Sequence, residues 1–69
     1  MEEVFKAAVP YILVAVRNND EEPIVRHEAL VAVGEMIDDK SIIEEFLKHP
    51  DPIVSESCEV AISMINYRL

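Results

Sequence analysis

One segment of this 69-residue chain is written twice. Pro23-Ile24-Val25-Arg26-His27-Glu28-Ala29-Leu30-Val31-Ala32-Val33 returns 29 residues later as Pro52-Ile53-Val54-Ser55-Glu56-Ser57-Cys58-Glu59-Val60-Ala61-Ile62, with Pro, Ile, Val, Val and Ala kept at matching positions. Apolar residues in both copies recur three and four apart, the helical period. A helical unit repeated at such an interval is the mark of an α-solenoid. One helical pair cannot cover its own apolar face, so the next pair has to stack on it. Small residues at Ala29, Ala32, Cys58 and Ala61 allow paired helices to approach closely.

The rest of the chain is punctuated to match. Gly34 is the only glycine, which disfavours tight hairpins. Four helices are expected. The first runs from Val4 or Ala8 to Arg17, with Pro10 either kinking it or marking its true start. The second starts at Pro23 and runs to about Ile37, where Asp38-Asp39 breaks it. The third is short, Ser41 to Lys48, with Ile42, Ile43, Phe46 and Leu47 on one face. The fourth follows Asp51 as N-cap, has Pro52 in its first position, and continues toward Tyr67. The fold class is therefore all-α, a solenoid segment of about four helices, roughly two repeats, over 1–69. Its first helix reads as the second half of one repeat and its fourth as the first half of another. Such arrays need about three repeats and polar caps. The expectation is a fragment of a longer solenoid, or a chain that self-associates to bury its open ends.

Charge narrows the partners. Six Lys and Arg stand against fourteen Asp and Glu, a formal net charge of −8. That balance argues against nucleic acid and against an anionic membrane surface. No apolar run approaches the ~18 residues of a membrane span, and Met-Glu-Glu-Val-Phe-Lys lacks the basic-then-apolar pattern of a signal peptide. One cysteine rules out an internal disulfide framework. A cytoplasmic, reducing setting is expected.

His27-Glu28 is the one constellation with chemistry in it. It lies in the first turns of the second helix, where adjacent side chains point about 100° apart. The two can flank one groove while Val25, Ala29, Ala32, Val33 and Met36 turn to the core. Imidazole and carboxylate together suit Fe, Mn or Zn, but two ligands are too few for a stable site. Taken alone, the dipeptide is better explained by a solvated Glu28 and a His27 that covers a neighbouring turn. Cys58 reads as a buried structural thiol, and Arg26 as a partner of Glu22 one turn earlier or of a neighbouring repeat. His49 reads as a solvated loop residue, Met36 and Met64 as core, and Tyr11 and Tyr67 as partly buried packing residues. Glu56 and Glu59 read as a solvated face, with a place near a substrate groove as the alternative.

Context changes the weight of the dipeptide. Pro23 to Ala29 followed by Ala32-Val33-Gly34-Glu35 resembles a HEAT-repeat helix of the deoxyhypusine hydroxylases. Asp51 to Ala61 resembles the segment after that family's last His-Glu motif, and Ala8-Val9-Pro10-Tyr11-Ile12-Leu13 the helix before it. A generic HEAT repeat supplies Pro-x-Val-Arg and Ala-x-x-Ala, but not His-Glu together with Glu-Ser-Cys-Glu-Val-Ala. The resemblance implies two facing halves of HEAT repeats and four His-Glu motifs, two from each half. Those motifs hold a di-iron centre that activates dioxygen and hydroxylates the deoxyhypusine side chain of a translation factor. It implies that His27 and Glu28 are iron ligands. Only one of the four motifs is present here, and Glu56-Ser57 replaces His-Glu in the second copy. The expectation is that the full-length parent is the monooxygenase and that this segment alone is inactive. The competing reading is a HEAT-repeat protein-binding module without catalysis. A phycobilin-lyase-like relative, which would not need His27-Glu28, ranks third.

Overall fold

The computed structural model describes residues 2–69, and the fold is all-α. Helix α1 spans Glu2–Arg17, α2 spans Pro23–Met36 and α3 spans Pro52–Arg68; two short 3-10 turns, Lys40–Ile42 and Glu44–Lys48, bridge α2 to α3. Helix α1 neither starts nor stops at Pro10, whose ring is exposed. An interior proline loses one amide bond and crowds the preceding turn, and both are easiest to bear on a solvent-facing side.

The starts of α2 and α3 follow the sequence signals. Proline occupies the first turn of each, where its missing N–H would have had no helical partner. Asp51 caps α3, its Oδ1 accepting from the Ile53 amide at 2.9 Å. Glu22 precedes α2 without a side-chain cap.

The third expected α-helix is a correction: Ser41 to Lys48 is covered by two 3-10 turns that meet at Ile43. A segment this short cannot repay the nucleation of an α-helix. Asp39 also holds the chain in a tighter turn, accepting from both the amide and the hydroxyl of Ser41. Side chains three apart eclipse in a 3-10 turn. Ile43 and Phe46 are therefore buried, while Ile42 and Leu47, expected on the same face, are substantially exposed.

One core joins the elements. Val9, Leu13 and Val16 enter it from α1, Leu30, Val33 and Ile37 from α2 and its end, and Val54, Cys58, Ala61 and Ile65 from α3. Each set keeps the three-and-four spacing of one helix face. Burying a side chain such as Leu30 or Ile65 contributes about 1.5–3 kcal/mol. The face that α2 buries is turned from the expected one. Val33 is buried, but Ala29, Ala32 and Met36 are only half-buried and Val25 is exposed. In their place Arg26, Leu30 and Gly34 go inside, because α2 is packed on two sides, by α1 and by α3. Tyr11 and Tyr67 are also corrections, at 81% and 93% exposed; each lies on the side of its helix away from the core.

Helices α1 and α2 are antiparallel: Val9 and Leu13 share a groove with Met36 and Ile37. Helices α2 and α3 run the same way. His27 meets Ser57 near their starts, and Gly34 meets Ala61 further along. A Cβ on Gly34 would lie 2.9 Å from both Cα and Cβ of Ala61, so the glycine lets the helices touch. At the far end Arg68 donates to the carbonyls of Gly34 (2.8 Å) and Ile37 (2.6 Å), satisfying acceptors at the end of α2. Among the described residues, no helix is long and apolar enough to cross a membrane.

Candidate functional site

The starts of α2 and α3 lie side by side and are bolted together. The bolt is Arg26, only 5% exposed, whose Nη2 donates to Asp51 Oδ2 at 2.6 Å. Asp51 therefore caps α3 with one oxygen and holds α2 with the other. Its carboxyl is held below the usual aspartate value, first by the Ile53 amide and then by Arg26. The Nε of Arg26 is buried without an acceptor, so the pair is a single bond and not the two-pronged fork that guanidinium and carboxylate can form. Of the two partners expected for Arg26, Glu22 is not used, and the one found, Asp51, belongs to the neighbouring copy.

His27 follows directly and is half-buried. Its Nδ1 lies 2.7 Å from the Oγ of Ser57 on α3. Ser57 in turn donates its hydroxyl to the carbonyl of Ile53, one turn back on its own helix. Beside this pair a groove opens between the two helix starts, lined by Ile24, His27, Ile53, Glu56, Ser57 and Val60. Its walls are mostly apolar, with His27 and Glu56 as its ionisable groups.

Glu28 is exposed and lines the neighbouring groove, between α1 and α2, with Ile12, Val25 and Ala29. The expectation that His27 and Glu28 flank one groove is corrected: they border two grooves that share Ile24. The cause is the angle between neighbouring helical residues combined with the sandwiching of α2. His27 falls on the α3 side and Glu28 on the α1 side. Glu59 is exposed and lines neither groove.

The second histidine is occupied differently. His49 is half-buried, not a free loop residue, and its Nδ1 accepts from the Asp51 amide at 3.0 Å. Cys58 is fully buried, as expected, with its Sγ donating to the Ile43 carbonyl at 3.0 Å. Burial pushes its thiol up to about 11, which keeps it from acting as a nucleophile or metal ligand.

As donor types, the imidazole of His27 and the carboxylate of Glu28 suit non-haem iron. No group of three or more His, Cys, Asp or Glu side chains able to hold a metal ion occurs among the described residues. The pair fits such a metal in kind and falls short of it in number. Both members are visible in the sequence; Ser57 is not, since there it stands out only as the residue 29 positions on from Glu28. The repeat is the available signal, since it gives both copies a helix start and those two starts lie side by side.

The chain is similar to deoxyhypusine hydroxylase-B of Oryza sativa subsp. japonica, 53% identical over 64 residues, covering 90% of this chain and 21% of that protein. It is 40% identical over 63 residues to the deoxyhypusine hydroxylase of Schizosaccharomyces pombe, covering 88% and 20%. To that of Danio rerio it is 36% identical over 64 residues, covering 90% and 21%. The chain thus spans about a fifth of the length of the curated relatives it matches. No family model matches it, and no solved structure does.

Proposed function

Starting from the likeness of nine-tenths of this chain to deoxyhypusine hydroxylases, we propose that it is the part of such an enzyme that supplies one His-Glu pair to an iron centre. The supporting observation is that His27 and Glu28 sit at a helix start bolted to its neighbour through Arg26 and Asp51. When bound, iron supplies the activation of dioxygen; the protein chain supplies ligands, orientation and the walls that keep the reaction in place. His27 and Glu28 provide one nitrogen and one oxygen ligand type. The other ligands come from residues outside this chain, which accords with the shortage of donors here.

The substrate in this reading is the deoxyhypusine side chain of a translation factor. That side chain is long and cationic, and a surface of net charge −8 favours its approach. The architecture is read as a piece of a HEAT-like stack. Its support is the parallel run of α2 and α3, 29 residues out of phase in sequence, beside an antiparallel α1.

The test uses the whole enzyme. Iron content after anaerobic loading, and the gain of one oxygen atom by a deoxyhypusine-bearing protein in mass spectrometry, are compared for the native protein, His27→Ala and Glu28→Gln. Loss of iron and of hydroxylation in both variants is expected. Full iron and full activity in His27→Ala would refute the assignment. The apolar groove formed by Ile24, Ile53 and Val60 also favours a binding module without chemistry. That reading predicts a bound protein whose capture is indifferent to His27→Ala.

A further inference from the structure

A neutral imidazole carries one proton and one lone pair on its two nitrogens, and only the lone pair can take a metal. Which nitrogen is which follows from the neighbours of the ring. Ser57 is buried at 3% exposure, so its hydroxyl cannot look to solvent for partners. Its Oγ lies 2.5 Å from the carbonyl oxygen of Ile53. Two oxygen lone pairs cannot face each other that closely, so the single hydroxyl proton of Ser57 lies between them. The Ile53 carbonyl has room for it, since the helical amide uses only one of its two lone pairs.

With that proton committed, Ser57 has only lone pairs left for His27. The 2.7 Å contact to Nδ1 must therefore be donated by the ring. The proton of neutral His27 sits on Nδ1, and the lone pair is left on Nε2. His49 shows the reverse: its Nδ1 accepts from the Asp51 amide, which leaves the proton on Nε2 and the lone pair already used. Of the two histidines in the sequence, the hydrogen bonds leave His27 the one with an open lone pair.

We infer that Ser57 is a positioning residue for His27: it fixes the tautomer and the ring plane in which Nε2 is ready to bind a metal. The metal part of this inference rests on the proposed function; the tautomer does not. Ser57 occupies the place that Glu28 holds in the first copy of the repeat. One register position thus offers a carboxylate in one helix and an orienting hydroxyl in the next. A ligating histidine typically gives its other ring nitrogen to such a partner, and removing the partner lowers metal affinity by about 10–100-fold.

The experiment has two arms. In the first, the chain labelled with nitrogen-15 histidine is read by long-range proton–nitrogen correlation spectra at a pH where the rings are neutral. Native His27 is expected with its proton on Nδ1, and His49 in the same spectrum with its proton on Nε2. Ser57→Ala is expected to move His27 to the Nε2–H form that free histidine prefers, and Ser57→Thr, which keeps the hydroxyl, to restore Nδ1–H. A native His27 protonated on Nε2 overturns the inference without any variant. So does a Ser57→Ala chain whose His27 still carries its proton on Nδ1. In the second arm, iron affinity of the whole enzyme is measured by competition with a chelator. A loss of about 10–100-fold in Ser57→Ala, largely recovered in Ser57→Thr, is expected. Unchanged affinity in Ser57→Ala with full loss in His27→Ala overturns the positioning role. Unchanged affinity in both, with the tautomer as expected, removes the metal reading and leaves the hydrogen bond standing.

Discussion

Gly34→Ala sets two effects of known sign against each other. In the last turn of α2, alanine is favoured over glycine by at most about 0.5–1 kcal/mol, through backbone entropy alone. Against this stands the contact with α3. The new methyl would lie 2.9 Å from Cα and Cβ of Ala61 and 3.1 Å from its carbonyl oxygen. Carbon atoms settle at about 3.5–4.0 Å, so one helix must withdraw by roughly 0.6–1 Å. The obstacle is partly backbone, which no side-chain rotation removes. Nor is α3 free to withdraw, because Arg68 ties it to the Gly34 and Ile37 carbonyls. Overpacking of this kind costs about 1–3 kcal/mol. The balance is a net loss of about 1 kcal/mol, which for a domain this small lowers the melting temperature by about 4–8 °C. Thermal unfolding of the two chains followed by far-ultraviolet circular dichroism checks it. A rise in melting temperature of the size that helix propensity alone gives would show that the helices do not meet at this glycine.

Acid sensitivity should trace to Asp51. Its folded carboxyl is held below the usual 3.8, so its contribution is complete above the unfolded value and is lost as pH falls through the lowered one. Urea midpoints from neutral pH downward should fall less steeply in Asp51→Asn than in the native chain. Some slope should persist, because Asp39 is lowered too, by the Ser41 hydroxyl and then the Ser41 amide; equal slopes would refute the role of Asp51. Cys58 should resist iodoacetamide at pH 8 in the folded chain and react promptly in urea, since its thiol is buried and shifted to about 11. Mass spectrometry of the labelled chain decides, and fast labelling under native conditions would contradict the packing. Arg68→Ala should cost about 0.5–1 kcal/mol by uncapping the end of α2, read as a lower urea midpoint at unchanged slope. No shift at all would mean that those carbonyls are equally well served by solvent.

What the sequence disclosed was what local chemistry writes into it. Pro23, Asp51 and Pro52 mark helix starts because capping and the missing proline amide act within a few residues. The apolar spacing marks α1 and α3 as helices without placing their faces: Tyr11 and Tyr67, expected to be partly buried, point to solvent. The face of α2 was misread because it is apolar on two sides, and the deciding partner of Arg26 lies 25 residues away. The 3-10 turns were hidden because Ile43 and Phe46 fit a spacing of three and a helix equally well. His27 and Glu28 were legible as ligand types, but the groove each one faces depends on which helix flanks it. Ser57 needed the fold, since no local rule joins a hydroxyl to an imidazole 30 residues upstream.

The shared direction of α2 and α3 has a consequence for how such a chain changes over time. Two helices related by a translation, unlike a pair about a dyad, set both of their Pro-marked starts on one border. Substitutions at the fourth and fifth positions after that start, His27-Glu28 in one copy and Glu56-Ser57 in the next, are then read out along one border. The opposite border is held by other means, Arg68 on the Gly34 and Ile37 carbonyls, so changes at the starts leave that tie intact.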